Sequence, residues 1–525
     1  MYVIGSGPAG IACSFALVHR GLDVTLLDVG LDLEPEREKL IQKLSQQNPQ
    51  DWDHEALGHL KEHMTVNLRG IPHKLLYGSD FPYRDPGPHI PLEAQRFAPS
   101  FSLAKAGLSN VWGAALLPYL PADIADWPIP LSDLAPHYQA VLSFMEFSAC
   151  RDDLESLFPL YSNCPQELRH SRQAAKLLAD MQSNRESLRA SGFAFGSSRL
   201  AIRADIAPDR PGCVYCGLCM YGCPYRLIFN TSSTLAELMK FSNFRYLKNV
   251  VVQKLVESKG KVIVLASSRL SGERLLFDAE SVYLGGGVLP TSQILLKSLE
   301  APGHLLTIKH SDYFLLPLLR YHKTSDAINE SLYTLAQVFI ELFDPGLSEH
   351  AIHLQVYTYN DLYQKAFSKL LGPALDLFRY PLHEILDRLL VVQGFLHSEI
   401  SSTISLRLDD EREKGIGRLI LETQPNRRAH QTIRRVARKL WKHRRALKAA
   451  PLIPFLKIPL TGKSFHLGGT FPMKSKPSQF ESDTLGRPYG FERVHIVDSS
   501  AFPSIPATTI TFSVMANAHR IGSSS

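Results

Sequence analysis

The first 28 residues restrict the fold more than any other stretch of the chain. Tyr2 to Ile4 is a short apolar strand, Gly5-Ser6-Gly7-Pro8-Ala9-Gly10 is a glycine turn, a helical stretch runs to Arg20, and a second strand, Val24 to Leu27, ends on Asp28. Strand, glycine turn, helix, strand and acid, in that order, is the unit by which a parallel sheet holds a dinucleotide. Gly5 makes the turn, Gly7 lets the backbone approach a pyrophosphate, and Gly10 lets the helix pack closely, while the helix N-terminus stabilises phosphate charge. Asp28 is placed to accept hydrogen bonds from the adenosine ribose. The motif alone does not separate FAD from NAD.

A chain of 525 residues is too long for one ordinary core, so two domains or one interleaved pair is expected. No uncharged apolar run reaches the length needed to span a bilayer. The opening MYVIGSG enters a strand at once, without the pattern of a secretory signal, and this favours the cytoplasm. The net charge of +6 is local: ten Lys or Arg and no acid lie between Arg427 and Lys448, so the remainder is slightly acidic. Ile433, Val436, Leu440 and Leu447 fall near helical spacing there, which predicts a helix with one apolar stripe and a cationic exterior. That exterior is either a solvated face or a dock for an acidic protein, an anionic glycan or an anionic membrane surface. Nothing else resembles a nucleic-acid-binding module, so nucleic acid is not expected as a partner.

Cys213, Cys216, Cys219 and Cys223, followed by Pro224, form a C-x2-C-x2-C-x3-C-P run, the spacing that holds iron–sulfur clusters in bacterial ferredoxins. Gly217 and Gly222 provide the backbone freedom for such wrapping. A zinc knot, two local disulfides and four unrelated packed cysteines are the competing readings, although structural zinc usually draws on two separated knuckles. Either Cys223 completes one four-iron cluster or three cysteines hold a three-iron cluster. Cys13, Cys150 and Cys164 are scattered and read as small buried hydrophobes.

Residues 31–74 are polar and helix-prone. After them come LYGSDFPYRDPGP and AKAGLSNVWGAALLPYLPADIADWPIP, then a mostly helical pattern over 131–204. Phe244 to Leu255 and Lys261 to Ala266 read as strands of a small meander, Val282 to Gly287 as a buried strand entering a glycine turn, and 290–298 as a leucine-rich helix. Tyr313 to Arg320, Leu335 to Leu342, Ile352 to Tyr359, Ser401 to Leu408 and Arg418 to Leu421 alternate at strand length and predict one antiparallel sheet. Leu362 to Leu390 is helical and leucine-rich, broken at Gly372-Pro373 and Pro381, and is expected to cover that sheet or, as the alternative, to meet a partner with its apolar face.

Several of these segments resemble the glucose-methanol-choline (GMC) oxidoreductases. Gly107, Ser109, Asn110, Trp112 and Gly113, with Pro121, Asp123 and Trp127-Pro128, resemble the family's second flavin-contacting segment. Phe465 to Met473 resembles its H-x-x-G-T-x-x-M stretch, and residues 494–521 resemble its closing strand, loop and helix. The resemblance implies an α/β fold: a Rossmann-like FAD-binding domain (1–125, 205–310 and 460–525) interleaved with an α+β substrate domain (126–204 and 311–459) built on an antiparallel sheet. It places Ser109, Asn110, Trp112, Val252 and Asp498 at the FAD. It makes His466 the general base that takes a hydroxyl proton while the carbinol carbon gives hydride to the flavin. The second active-site position, usually His or Asn, falls on Thr509, which can orient a hydroxyl but cannot act as a base near neutral pH. The helix starting near Thr511 is expected to aim its N-terminus at the flavin.

Bacterial sugar and polyol dehydrogenases of the family resemble the chain further, some holding a three-iron cluster through cysteines spaced like Cys213, Cys219 and Cys223. Cys216 is additional and favours a four-iron cluster. The implied function is oxidation of an alcohol group of a sugar or polyol, with electrons passing to an external acceptor protein or quinone. The alternatives are a flavin and iron–sulfur electron carrier without alcohol chemistry, and an oxidase with a structural metal knot.

Overall fold

Strands of three or four aliphatic residues with both faces buried can persist only inside a parallel sheet covered on each side. The computed structural model, which describes all residues except 63–73, 85–86, 95–98, 206–210, 373–378 and 410–416, has such a sheet at its centre. Its five strands run in the order Val494–Ile496, Val282–Leu284, Tyr2–Ile4, Val24–Leu27 and Phe244–Leu247, all parallel. The helix Pro8–His19 follows the glycine turn, with proline at its first position where the missing N–H costs nothing. It is buried along most of its length because the C-terminal helix Thr511–Ser524 packs on it. The two chain ends thus complete one layer.

The predicted strand Phe244 to Leu255 is two strands. Phe244–Leu247 closes the parallel sheet, and the left-handed residue Asn249 (φ 63°) turns the chain into a separate antiparallel meander, Val250–Ser258, Lys261–Ser268 and Arg274–Ala279. The predicted single antiparallel sheet is likewise two. Six antiparallel strands run in the order Ala449–Pro451, Tyr313–Arg320, Leu389–Phe395, Ile352–Tyr357, Val338–Leu342 and Phe193–Ser197. The second sheet runs Leu467–Gly468, Leu306–His310, Thr403–Asp409, Arg418–Gln424 and Leu92–Ala94. Leu389–Phe395 ends the stretch expected to be helical, of which Asp361–Leu371 and Arg379–Leu386 are helices; Pro373 lies outside the described residues. Of 131–204, expected to be mostly helical, Leu131–Leu142, Arg172–Ser183 and Arg185–Ala190 are α-helices, Phe193–Ser197 is a strand and most of the rest is turn or irregular chain. Helices Pro35–Ser45 and His54–Leu60 occupy the 31–74 excursion, whose residues 63–73 lie outside the described set.

The basic segment forms the helix Arg427–Lys442. Ala429, Ile433, Val436, Ala437 and Leu440 are buried at intervals of three and four against the six-stranded sheet, and the cations face outward. No helix among the described residues is long and apolar enough to cross a membrane.

Candidate functional site: a dinucleotide cleft and a cysteine cavity

The parallel sheet, the meander and the six-stranded sheet meet around a cleft with a cavity of about 420 Å³. Gly5, Gly7, Asp28, Ser109, Trp112, Val252, His466, Asp498 and Thr509 all line it, so the sequence brings nine of its candidate residues to one place. Gly10 lies just beneath. A Cβ added there would stand 1.8 Å from the Gly5 carbonyl oxygen, so helix and strand meet only because the residue is glycine. At Gly7 an added Cβ meets no protein atom within 4 Å, and the space it would enter belongs to the cleft. The turn is therefore open to a group that needs backbone N–H contacts at a helix N-terminus, and the residues fit a dinucleotide phosphate.

Asp28 is buried and accepts hydrogen bonds from Ser6 Oγ and from Tyr246 Oη at 3.1 Å. Burial pushes its pKa up to about 6 against those two bonds. Asp498 is spent more heavily on structure. Its Oδ2 accepts from the Gly287 N–H at 2.8 Å and Thr291 Oγ1 at 2.6 Å, and its Oδ1 from the Ser500 N–H at 2.9 Å. Those bonds pin the glycine turn at 285–287 to the C-terminal loop. Ser109 Oγ donates to the Ala106 carbonyl at 2.7 Å, and Trp112 Nε1 to the Phe229 carbonyl at 2.9 Å. Asn110, expected at the cofactor, does not line the cleft. Its amide nitrogen bonds the Lys105 and Gly107 carbonyls and its oxygen accepts from Asn230, so it ties the loop from behind.

His466 presents its ring to the cleft, stacked on Phe395 with centroids 5.1 Å apart. Its Nδ1 is buried with no hydrogen-bond partner among the described residues. Burial, and then the neighbouring His353, hold its pKa down to about 4, so the imidazole is neutral near pH 7 with a lone pair to offer. Thr509 Oγ1 accepts the Leu117 N–H at 3.0 Å, which leaves its own O–H to donate.

The wall opposite these residues was not singled out from the sequence. Gln355, Tyr357, Gln393 and Phe395, on adjacent strands of the six-stranded sheet, line the cleft. The signal was present in His353-Leu354-Gln355-Val356-Tyr357, where polar side chains alternate with apolar ones along one strand face.

The four clustered cysteines line a second, enclosed cavity together with Ile202, Tyr215, Leu227, Ile228 and Tyr333. Positive φ at Tyr215, Gly217, Gly222 and Arg226 winds the chain around it. A Cβ on Gly222 would meet the Tyr77 ring at 2.6 Å, so this glycine is needed for space as well as conformation. All seven cysteines are free, which sets the disulfide alternative aside among the described residues. One zinc ion with Zn–S bonds of about 2.3 Å would draw the sulfurs to roughly 3.8 Å from one another. The four sulfurs are not among the described groups whose ligand atoms all lie within 4.8 Å of one another, so as placed they do not form a tetrahedral single-ion site. Backbone N–H groups of Leu227 and Thr334 point at Cys223 Sγ and Cys219 Sγ, each at 3.5 Å. Burial and then the charge of Cys219 push the Cys213 thiol up to about 12 and the Cys223 thiol to about 11, so ionised sulfurs here require a bound cation or cluster.

The two cavities share a wall. Cys219 and Tyr333 line the cysteine cavity while their near neighbours Met220 and Leu335 line the cleft, and the Thr334 N–H between them is bonded to Cys219. Lys74, which also lines the cleft, bonds the Trp112 carbonyl at 3.1 Å and lies within electrostatic reach of Cys219 and Cys223. Burial lowers its pKa to about 8 despite those thiols.

A further group of metal-type ligands, Asp123, His350 and His397, brings three ligand atoms within 4.8 Å. The two imidazoles are stacked with centroids 3.7 Å apart and planes 14° apart, so their nitrogens cannot both aim at one ion in the ring planes. The Glu399 N–H is donated to His397 Nδ1 at 3.2 Å, which puts that ring's proton on Nε2 and removes it as a ligand. His350 instead lies between Asp123 at 3.5 Å and Glu399 at 2.9 Å. Pairing with Asp123 leads in lifting its pKa to about 9, so the group is an ion-paired histidine stack.

Residues 405–518 match the family model described as GMC oxidoreductase. That segment is similar to the GMC oxidoreductases. Along its whole length it has the fold of two solved structures. One is pyridoxine 4-oxidase from Mesorbium loti, at TM-score 0.59 and 15% identity, covering 99% of this chain and 98% of that one. The other is a fungal aryl-alcohol oxidase, at TM-score 0.55 and 13% identity, covering 99% and 97%. No curated protein matches the sequence. His466, Asp498 and Thr509 lie within the matched segment, while the glycine turn and the cysteine run lie outside it.

Proposed function

We propose that this GMC protein is an FAD-dependent dehydrogenase that oxidises an alcohol group of a sugar, polyol or related molecule and releases the electrons through an iron–sulfur cluster. The observation that carries the reading is the shared wall. Four cysteines surround one enclosed cavity, and residues adjacent to two of its lining positions face the dinucleotide cleft. A purely structural metal knot has no need of that adjacency.

Gly5, Gly7, Asp28, Ser109, Trp112, Val252 and Asp498 would hold FAD, which when bound supplies the hydride acceptor. Cys213, Cys216, Cys219 and Cys223 would hold a four-iron cluster, which supplies one-electron chemistry. The protein's own residues do the rest. His466, neutral and unpartnered at Nδ1, takes the substrate hydroxyl proton. Thr509 donates its O–H and orients that hydroxyl, but holds no proton-accepting role beside His466. The N-terminal end of the helix Thr511–Ser524 borders the cleft and favours negative charge there. An acidic acceptor protein or an anionic surface would dock on the outward cations of Arg427–Lys442.

The test is anaerobic. Candidate polyols should bleach the flavin absorbance of the purified holoenzyme, and His466→Ala should slow bleaching by about 10²- to 10⁴-fold while FAD content is kept. If dithionite bleaches the flavin and no alcohol does, the alcohol chemistry is wrong and an electron carrier remains. Both structural neighbours are oxidases, which favours a second reading, an oxidase. It requires hydrogen peroxide in step with substrate loss and neither iron nor acid-labile sulfide in the protein.

A further inference from the structure

Behind the cleft wall of the six-stranded sheet lies a buried acid–base pair that the proposed reaction does not use. Strand register sets Glu341 opposite His353, and on the other side His353 opposite Phe395 and Gln355 opposite Gln393. Glu341 and His353 are wholly buried, and His353 Nδ1 lies 2.5 Å from Glu341 Oε1. On the far side of the ring, Gln355 Nε2 meets His353 Nε2 at 3.1 Å. An amide nitrogen has only hydrogens to offer, so His353 Nε2 accepts and the ring's own proton sits on Nδ1, where it is given to Glu341. The Gln355 oxygen is then left to accept from the Tyr357 hydroxyl, at 3.0 Å.

This string fixes what the wall offers. One N–H of Gln355 is used on His353 and the other has no partner among the described residues. The Tyr357 proton is used on Gln355, and the lone pairs of its oxygen are free. Gln355 and Tyr357 both line the cleft with His466 and Thr509. A free N–H beside a free phenolic oxygen complements one kind of group best, a hydroxyl, which accepts from the first and donates to the second.

We propose that Glu341 and His353 are positioning residues that lock the Gln355 amide in one orientation, so that the cleft wall recognises a second hydroxyl of the substrate beside the one being oxidised. The substrate class is then a diol or polyol rather than a simple aliphatic or aromatic alcohol. This inference rests on the alcohol-oxidation reading for its substrate, but not for the state of His353.

Glu341→Gln tests it, because an amide at 341 can donate to Nδ1, move the ring proton to Nε2 and force the Gln355 amide to turn over. Gln355→Leu removes the amide while leaving the buried pair, and guards against a folding defect in the first variant. In the holoenzyme, kcat and KM are measured for an oxidised diol and for the analogue lacking the second hydroxyl. Wild type should prefer the diol by about tenfold or more, and both variants should bring that preference close to one through KM rather than kcat. Nitrogen-15 NMR of the imidazoles, with the His353 signal assigned by its loss in His353→Asn, should show the Nδ1–H form in wild type and the Nε2–H form in Glu341→Gln. Undiminished diol preference in both variants, or an Nε2–H tautomer in wild type, overturns the proposal. If wild type oxidises no alcohol, the functional reading has failed, and the NMR result still decides the positioning.

Discussion

The cleft is walled by segments drawn from the whole chain and offers a ligand glycine backbone and a few polar side chains set in a largely apolar lining. The cysteine cavity draws its four sulfurs from one eleven-residue run and surrounds them with hydrocarbon and phenol. The cleft therefore depends on the global fold, whereas the cysteine cavity depends on a local winding held by Gly222 and left-handed residues. Damage to the cleft should spread, and damage to the cysteine run should stay local.

The largest effect is expected from Gly10→Val. With a Cβ 1.8 Å from the Gly5 carbonyl, helix and strand must separate, at a cost well above about 3 kcal/mol. FAD and iron should be lost together, as read from the visible spectrum and metal analysis of whatever folds. Retention of FAD would show that the glycine turn is not what organises the cleft. Next is Cys216→Ser. Loss of most of the iron and sulfide with FAD content within about 20% of wild type fits a separable cavity; a matching loss of FAD would join the two regions into one unit.

A smaller, shared effect comes from acid. Burial holds His137, His466 and His519 at about 4 and His397 at about 3, so the unfolded chain takes up protons first as the pH falls below the ordinary imidazole value of about 6.5. Their contribution to stability is present above 6.5 and is lost as the pH falls through about 4. Asp28, lifted to about 6, and Asp123, Asp152, Glu341 and Asp498, also raised by burial, oppose them as the pH falls, while burial lowers His170, His310 and His495 as well. Asp28 and His466 border the cleft and no histidine lines the cysteine cavity, so differential scanning fluorimetry from pH 7 downward should lower the melting temperature with the flavin signal released no later than the cluster signal. Release of the cluster first would invert the ranking of the two regions.

The legible parts of the sequence are those where function acts through local geometry. Gly5, Gly7 and Gly10 must sit at fixed offsets in one turn, and Cys213 to Cys223 must converge within one winding, so both could be read directly. The six-stranded sheet could not. Alternation identifies a strand and one of its faces but not its neighbours, which is why two sheets read as one and why Leu389–Phe395 hid at the end of a leucine-rich helical pattern. The Glu341–His353 pair exists only because two strands meet in one register. Asn110 shows the converse: its neighbours Ser109 and Trp112 line the cleft, but its own side chain serves the loop.

Gly7 carries a last consequence. Its φ of −67° is one that any residue adopts, and a methyl group there would touch nothing in the protein. The chain therefore has no folding reason to keep glycine at that position. On the proposed reading a single added carbon, Gly7→Ala, is expected to weaken dinucleotide binding while leaving the architecture in place, which gives a reference against which the spectral and thermal contributions of a bound dinucleotide are read by subtraction.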